Sequence, residues 1–332
     1  MTVTTTGVGL FGTEPAPRMV ELMKLAESLG YEHCWVGDSQ NIWRECYTMM
    51  AAAGVQTERI IFGTGVTNAT TRHLSTLAST WATLGELTGG RVALGIGTGD
   101  SSLRTMGLKP LKLAELETAV ASLRALIDGK EVMEESSGAG YRLQWTVPAK
   151  IPIYIAASAP KILQLAGRIA DGVIMLVGTD PRFVEAALER VELGARESGR
   201  QLSDLHIVLW TPAAICETTH EAADLVRAHV ARILIRPLPT DLDTDTMKQI
   251  EKIAASYDYY KHMDTGAGHA DLVPDELVRH FALAGTVDEV ATQYESIRAL
   301  PLDEVAIIPY TAPGGDRGLV MRQFADLASR PA

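Results

Sequence analysis

The stretch 59-RIIFGTGVTNATTRH-73 carries the reading of the fold. Its first half is a short apolar run rich in β-branched and aromatic residues, the pattern of a buried strand. Its second half passes into a loop through Gly63, Gly65 and a Val66-Thr67-Asn68 step in place of a plain turn. Functional groups in parallel α/β proteins collect at the carboxyl ends of strands. Small hydrogen-bonding residues at such an end are therefore candidates for a functional site.

Outward from this stretch, short apolar runs alternate with helical-period segments. The candidate strands are 7-GVGLFG-12, 32-EHCWVG-37, 59-RIIFGTGV-66, 91-RVALGIG-97, 152-PIYIAA-157, 172-GVIMLV-177, 205-LHIVLW-210 and 303-DEVAIIP-309. Between them lie amphipathic segments such as 17-PRMVELMKLAESLG-30, which gathers Met19, Leu22, Met23, Ala26 and Leu29 on one face. Repeated strand-helix alternation implies a parallel sheet. Eight such units predict an α/β fold of the (β/α)8 TIM barrel type. An open doubly wound sheet is the structural alternative, weakened because no GxGxxG follows the first strand.

Two stretches break the rhythm. Residues 130–148 read as a small hairpin turning on Ser-Ser-Gly-Ala-Gly. Residues 237–283 carry Pro237, Pro239 and Pro274 and read as a helical insertion between strands seven and eight, a candidate lid or pocket wall. No linker divides the chain, so residues 1–332 are expected to form one domain.

A formal charge of −11 argues against a nucleic-acid surface, which needs a concentrated basic face. Cys34, Cys46 and Cys216 have no CxxC spacing, so neither a disulfide framework nor a zinc site is expected. The N-terminal segment lacks the features of a signal peptide, and no apolar run is long enough to span a bilayer. The expected location is cytoplasmic, with no membrane partner.

The strand ends, taken in order, present Asp38-Ser39, Gly65 to Asn68, Gly97 to Asp100, Ala156 to Ser158, Val177-Gly178, Thr211 and Tyr310. Glycine, hydroxyl and amide groups dominate. There is no metal-ligand spacing and no Gly-x-Ser-x-Gly elbow, so no metal is expected. A small polar rim with few strong acids or bases suits chemistry supplied by a bound cofactor. Each element also has a plainer reading. Asp38 could cap a helix, GIGTGD could be an ordinary turn, and a lone histidine is more often structural than catalytic. The 156-AASAPK-161 stretch ends a strand and opens a helix at Pro160, which suits an anion at a helix N-terminus. An aldolase on the same barrel would want a Schiff-base lysine at a strand end; the lysines fall instead on helices or loops.

Together, WVGDSQNIWRE (35–45), GTGVTNATTRH (63–73), TGGRVALGIGTGDSS (88–102), AASAPKILQLAGRIADGVI (156–174) and LAGTVDEVA (283–291) resemble the bacterial-luciferase-like flavin- and F420-dependent oxidoreductases. The branch they most resemble contains methylenetetrahydromethanopterin reductase. The resemblance implies a TIM barrel with F420 or FMN at its C-terminal mouth and a non-prolyl cis peptide between Gly65 and Val66 backing the ring. It implies ring and ribityl contacts from Asp38, Ser39, Thr98, Gly99 and Asp100, with Thr67 and Asn68 expected to hydrogen-bond the ring edge. It implies phosphate contacts from Ala156, Ala157, Ser158, Ala159 and Gly178. Ser39 stands where some F420 enzymes carry a histidine.

Asp38, Ser39 and His73 are the catalytic candidates; Trp43, Arg72, His262 and His269 are the substrate-side candidates. The expected activity is hydride transfer between the cofactor and a small organic substrate. The alternatives are an FMNH2-dependent monooxygenase fed by a partner flavin reductase, and a non-catalytic flavin-binding protein. The resemblance also implies a homodimer.

Overall fold

A computed structural model describes residues 4–134, 136–145, 150–239, 242–261, 264 and 266–330. Its strands are β1 (Thr5–Leu10), β2 (His33–Val36), β3 (Ile61–Thr64), β4 (Val92–Gly97), β5 (Ile153–Ala157), β6 (Gly172–Met175), β7 (His206–Ile215) and β8 (Glu304–Pro309). Each pairs in parallel with the next, and β8 pairs back onto β1 through Thr5↔Glu304 to Val8↔Ile307. The sheet is therefore a closed (β/α)8 barrel. Around it lie α1 (Ala16–Ser28), α2 (Cys46–Gly54), α3 (Leu74–Thr88), α4 (Leu113–Ile127), α5 (Pro160–Ile169) and α6 (Pro181–Glu197). The later helices are α7 (Thr219–Leu234), α8 (Thr244–Ser256), α9 (Asp275–Phe281), α10 (Val287–Arg298) and α11 (Arg317–Ala328).

Side-chain alternation along each strand separates two cores. On β2, Cys34 and Val36 pack outward with Met19, Leu22 and Met23 of α1. Trp35 turns inward to join Tyr154, Val208, Trp210 and Ala306. Large rings fit inside the barrel because glycines face them. A side chain at Gly63 would overlap Trp35, and one at Gly65 would overlap Trp210 and crowd Trp35. Deep in the interior, fully buried Glu304 accepts a hydrogen bond from Trp35 Nε1 at 2.8 Å and lies 2.6 Å from His33 Nδ1. Burial favours the neutral Glu304 carboxyl, but the charge of His33 and the indole hydrogen bond outweigh it and hold the group below the usual carboxylate range.

Two strands depart from their sequence boundaries. β3 stops at Thr64; after a cis peptide between Gly65 and Val66, Thr67–Asn68 resumes pairing with Ile96–Gly97. β7 runs past Trp210 to Ile215, through Pro212, because Ala213–Ile215 takes a further parallel neighbour, Leu283–Gly285. The chain between these paired segments forms the excursion over the mouth. It contains α8 and α9, as the insertion reading expected, and α7 upstream of them as well. The hairpin pairs Val132–Met133 with Gly140–Tyr141; residues 135 and 146–148 of that stretch lie outside the described residues. No helix among the described residues is long and apolar enough to cross a membrane.

Candidate functional site

The ends of β2, β3, β4 and β5 open into one cavity of about 440 Å³. Its floor is Gly65, Val66 and Trp210, with Ile174 and Leu176 beside them. One wall is apolar: Phe11 and Trp43 stack with ring centroids 4.4 Å apart. The opposite wall is nearly free of side chains, being Gly97 to Gly99 and Ala156 to Ala159. There α5 opens on the cavity at Pro160 with no side-chain cap at Ala159. The N–H groups of Lys161 and Ile162 belong to the first turn, which has no intrahelical acceptor for them, and both residues line the cavity.

The polar edge is built around Asp38. Its buried carboxylate accepts hydrogen bonds from Thr67 Oγ1 at 2.7 Å and from Arg72 Nη1. Arg72 is held in turn by Glu45 at 3.1 Å and lies over the Tyr47 ring. Two further links tie these strand ends together. Ser39 Oγ and Ser101 Oγ are 3.0 Å apart, and Asn68 Nδ2 donates to Ser102 Oγ at 3.1 Å. Asn68 Oδ1 also accepts from the N–H groups of Thr70 and Thr71, so this side chain shapes the loop.

Of the residues expected at the site, Asp38, Trp43, Gly65, Val66, Thr67, Thr98, Gly99, Asp100 and Ala156 to Ala159 meet around this one cavity. Ser39, Asn68 and Arg72 stand directly behind it through the contacts just given. His73 stands apart. Its Nδ1 accepts from the N–H of Ser75 at the start of α3, and its Nε2 lies 2.9 Å from Glu134 of the hairpin. Gly178 follows β6 with φ of 101°, packed under the carbonyl of His280 and the Phe281 ring, outside the cavity lining. His269 is buried with its ring 4.3 Å from that of Tyr257, and burial disfavours its charged form. It does not line the cavity. His262 lies outside the described residues.

The roof is the part that sequence reading missed. The C-terminal end of α7 brings Arg232, Ile235, Arg236 and Pro237 over the cavity, joined by Tyr259. Arg232 and Arg236 both donate to Asp100 Oδ2, the latter at 3.1 Å, while Arg104 Nε donates to Asp100 Oδ1 at 3.0 Å. One turn earlier on α7, His229 is fully buried with Nδ1 2.9 Å from the Tyr310 hydroxyl at the end of β8. Burial first, and the charge of Arg232 second, push its pKa down to about 3. The helix thus crosses the mouth from the end of β8 to the end of β4. The available signal was the i, i+4 arginine pair in 232-RILIR-236, immediately before Pro237.

Residues 1–304 match the family model described as luciferase-like monooxygenase. The chain is 30% identical over 309 residues to a 5,10-methylenetetrahydromethanopterin reductase of Archaeoglobus fulgidus, covering 89% of this chain and 92% of the relative. It is 29% identical to an F420-dependent glucose-6-phosphate dehydrogenase of Microbacterium testaceum, over 74% of this chain and 83% of the relative. The solved coenzyme F420-dependent tetrahydromethanopterin reductase of Methanopyrus kandleri superposes with a TM-score of 0.77 at 25% identity, covering 97% of both chains.

Proposed function

Because the chain belongs to the luciferase-like monooxygenase family, we propose that it is an oxidoreductase that uses F420, or FMN in its place, to move a hydride to or from a small organic substrate. The observation that carries this reading is the meeting, in one cavity, of a side-chain-poor wall, the Asp38 edge and the uncapped start of α5. When bound, F420 or FMN supplies a two-electron redox centre that exchanges hydride with carbon.

The residues present fit such a group. A flat ring needs a wall without side-chain bulk, and Gly97, Gly99, Ala156 and Ala157 provide one. An anionic phosphate needs N–H donors and a favourable dipole, and the start of α5, with Ala157 to Ala159 before it and Lys161 on its first turn, provides both.

Each remaining part has a task in this reading. Val66 and Trp210 form the apolar floor that backs the ring. Asp38 presents its carboxylate at the edge, oriented by Thr67 and Arg72. The stacked Phe11 and Trp43 exclude water from the reacting face. Holding donor and acceptor carbons in contact supplies much of the rate, since a positioned pair reacts without paying the entropy of encounter.

Titration of F420 and of FMN into the protein, read by quenching of tryptophan fluorescence, tests this directly, because Trp43 and Trp210 line the cavity. F420 binding followed by substrate-dependent reduction or oxidation is the expected result. Tight binding of FMN alone moves the reading to the oxygen-using branch. Binding without turnover of any tested substrate points to a flavin-carrying protein, and binding of neither overturns the proposal.

A further inference from the structure

The cavity carries a charge opposite to that of the chain. Among the described residues its lining holds Arg104, Lys161, Arg232 and Arg236, against the carboxylates of Asp38 and Asp100 only. Asp38 is matched from behind by Arg72. Asp100 alone faces three guanidinium groups, Arg104, Arg232 and Arg236, so the roof keeps an excess of positive charge in a molecule whose formal net charge is −11.

The arginine donors are also undersupplied with acceptors. Each guanidinium has five N–H donors. Among the described residues, Asp100 is the sole acceptor bonded by Arg232, which is only 3% exposed, and by Arg236. A guanidinium taken this far from water calls for more than a shared carboxylate oxygen. The open space next to both side chains is the cavity itself.

We propose that Arg232 and Arg236 form an oxyanion-binding subsite in the roof, which selects substrates bearing a carboxylate or phosphate group. The proposal deepens the function inferred above and rests on it. The floor and the α5 terminus take the ring and phosphate of the cofactor, and the roof faces what lies above the ring. Arginine suits this task because its planar fork binds a carboxylate or phosphate through two parallel hydrogen bonds. Tyr259, with the Arg104 guanidinium 4.9 Å from its ring centroid, closes the side of this subsite.

Inorganic phosphate serves as the probe, with thermal unfolding as the readout, in the protein alone and in the protein saturated with F420. The expected result is a phosphate-dependent rise in melting temperature that persists with F420 bound. With F420 bound, so that the α5 terminus is filled, it should need at least tenfold more phosphate in Arg236→Gln and vanish in Arg232→Gln; in the protein alone it should survive in Lys161→Gln. Should Arg232→Gln fail to fold, Arg236→Gln decides alone, since that side chain is 37% exposed and its loss leaves Arg232 paired with Asp100.

No response to phosphate overturns the subsite, as does an equal response in wild type and Arg236→Gln. Loss of the response once F420 is bound assigns the anion site to the cofactor and overturns the proposal as well. The underlying reading fails separately. If neither F420 nor FMN quenches fluorescence while the phosphate response still follows the arginines, the cofactor assignment falls and the oxyanion subsite stands.

Discussion

The floor and the roof of the cavity are built on different principles. The floor is a matter of shape: a side chain at Gly65 would run into the Trp210 ring, which lines the same cavity. The roof is a matter of charge, with Asp100 gathering guanidinium groups from two separate segments of the chain. A shape-built surface tolerates almost no added atom but is indifferent to salt. A charge-built surface accepts changes of volume and responds to ionic strength and pH. The rigid half is thus placed where a flat cofactor would need a fixed backing, and the adjustable half where different substrates would be told apart.

The largest expected effect is on the floor. Gly65→Val puts side-chain carbons into the Trp210 ring, with destabilisation of about 3 kcal/mol in urea unfolding and loss of cofactor binding. Salt up to about 1 M should leave that difference unchanged. Next comes the roof. Asp100→Asn leaves the buried Arg232 without its carboxylate and should cost about 2 kcal/mol, less than a fully buried pair because Asp100 retains some exposure. Here the gap between variant and wild type should narrow as salt rises; a gap that ignored salt would erase the contrast between floor and roof.

A smaller effect concerns pH. His229 has a folded pKa of about 3 against an ordinary 6.5. The folded protein therefore stays neutral at this site while the unfolded chain takes up a proton as pH falls through 6.5. Its contribution to stability is fully present above pH 6.5 and is lost toward pH 3, by at most about 1.4 kcal/mol per pH unit. The measurement is unfolding free energy from pH 7 to 5 for wild type and His229→Gln. The wild-type curve should fall more steeply, and parallel curves would refute the assignment. The smallest effect is His73→Ala, which loses an exposed partner of Glu134 and one contact at the start of α3. Stability should change by about 0.5 kcal/mol or less, with cofactor affinity untouched.

Much of the floor was legible in the sequence, and little of the roof. Eight apolar runs separated by amphipathic segments led to the closed barrel, because both periods are local properties of the chain. Asp38, Gly65 to Thr67, Thr98 to Asp100 and Ala156 to Ser158 came from locating strand ends, since the fold brings those ends together around one cavity, and Ala159 came from the family resemblance. Arg232 and Arg236 could not be reached this way. They lie on a helix, and its path across the mouth depends on a tertiary event, the extension of β7 to pair with Leu283–Gly285. Pro212, which cannot donate a ladder hydrogen bond, sits inside that extension, so local strand propensity gives no sign of it. His73 misled for a related reason. Its place after a strand end suggested a pocket, whereas its role at the start of α3 and its contact with Glu134 become visible only once the hairpin is positioned.

The pairing of Ala213–Ile215 with Leu283–Gly285 has a consequence for how such a protein can be altered. The excursion over the mouth departs and returns at neighbouring points of one parallel ladder, reinforced by the hydrogen bond from Cys216 N–H to the Gly285 carbonyl. A segment clamped at both ends can be lengthened, shortened or exchanged at small closure cost, which grows only slowly with loop length. Exchanging the segment between Ile215 and Leu283 would therefore replace the roof of the cavity, with the register of all eight strands left in place.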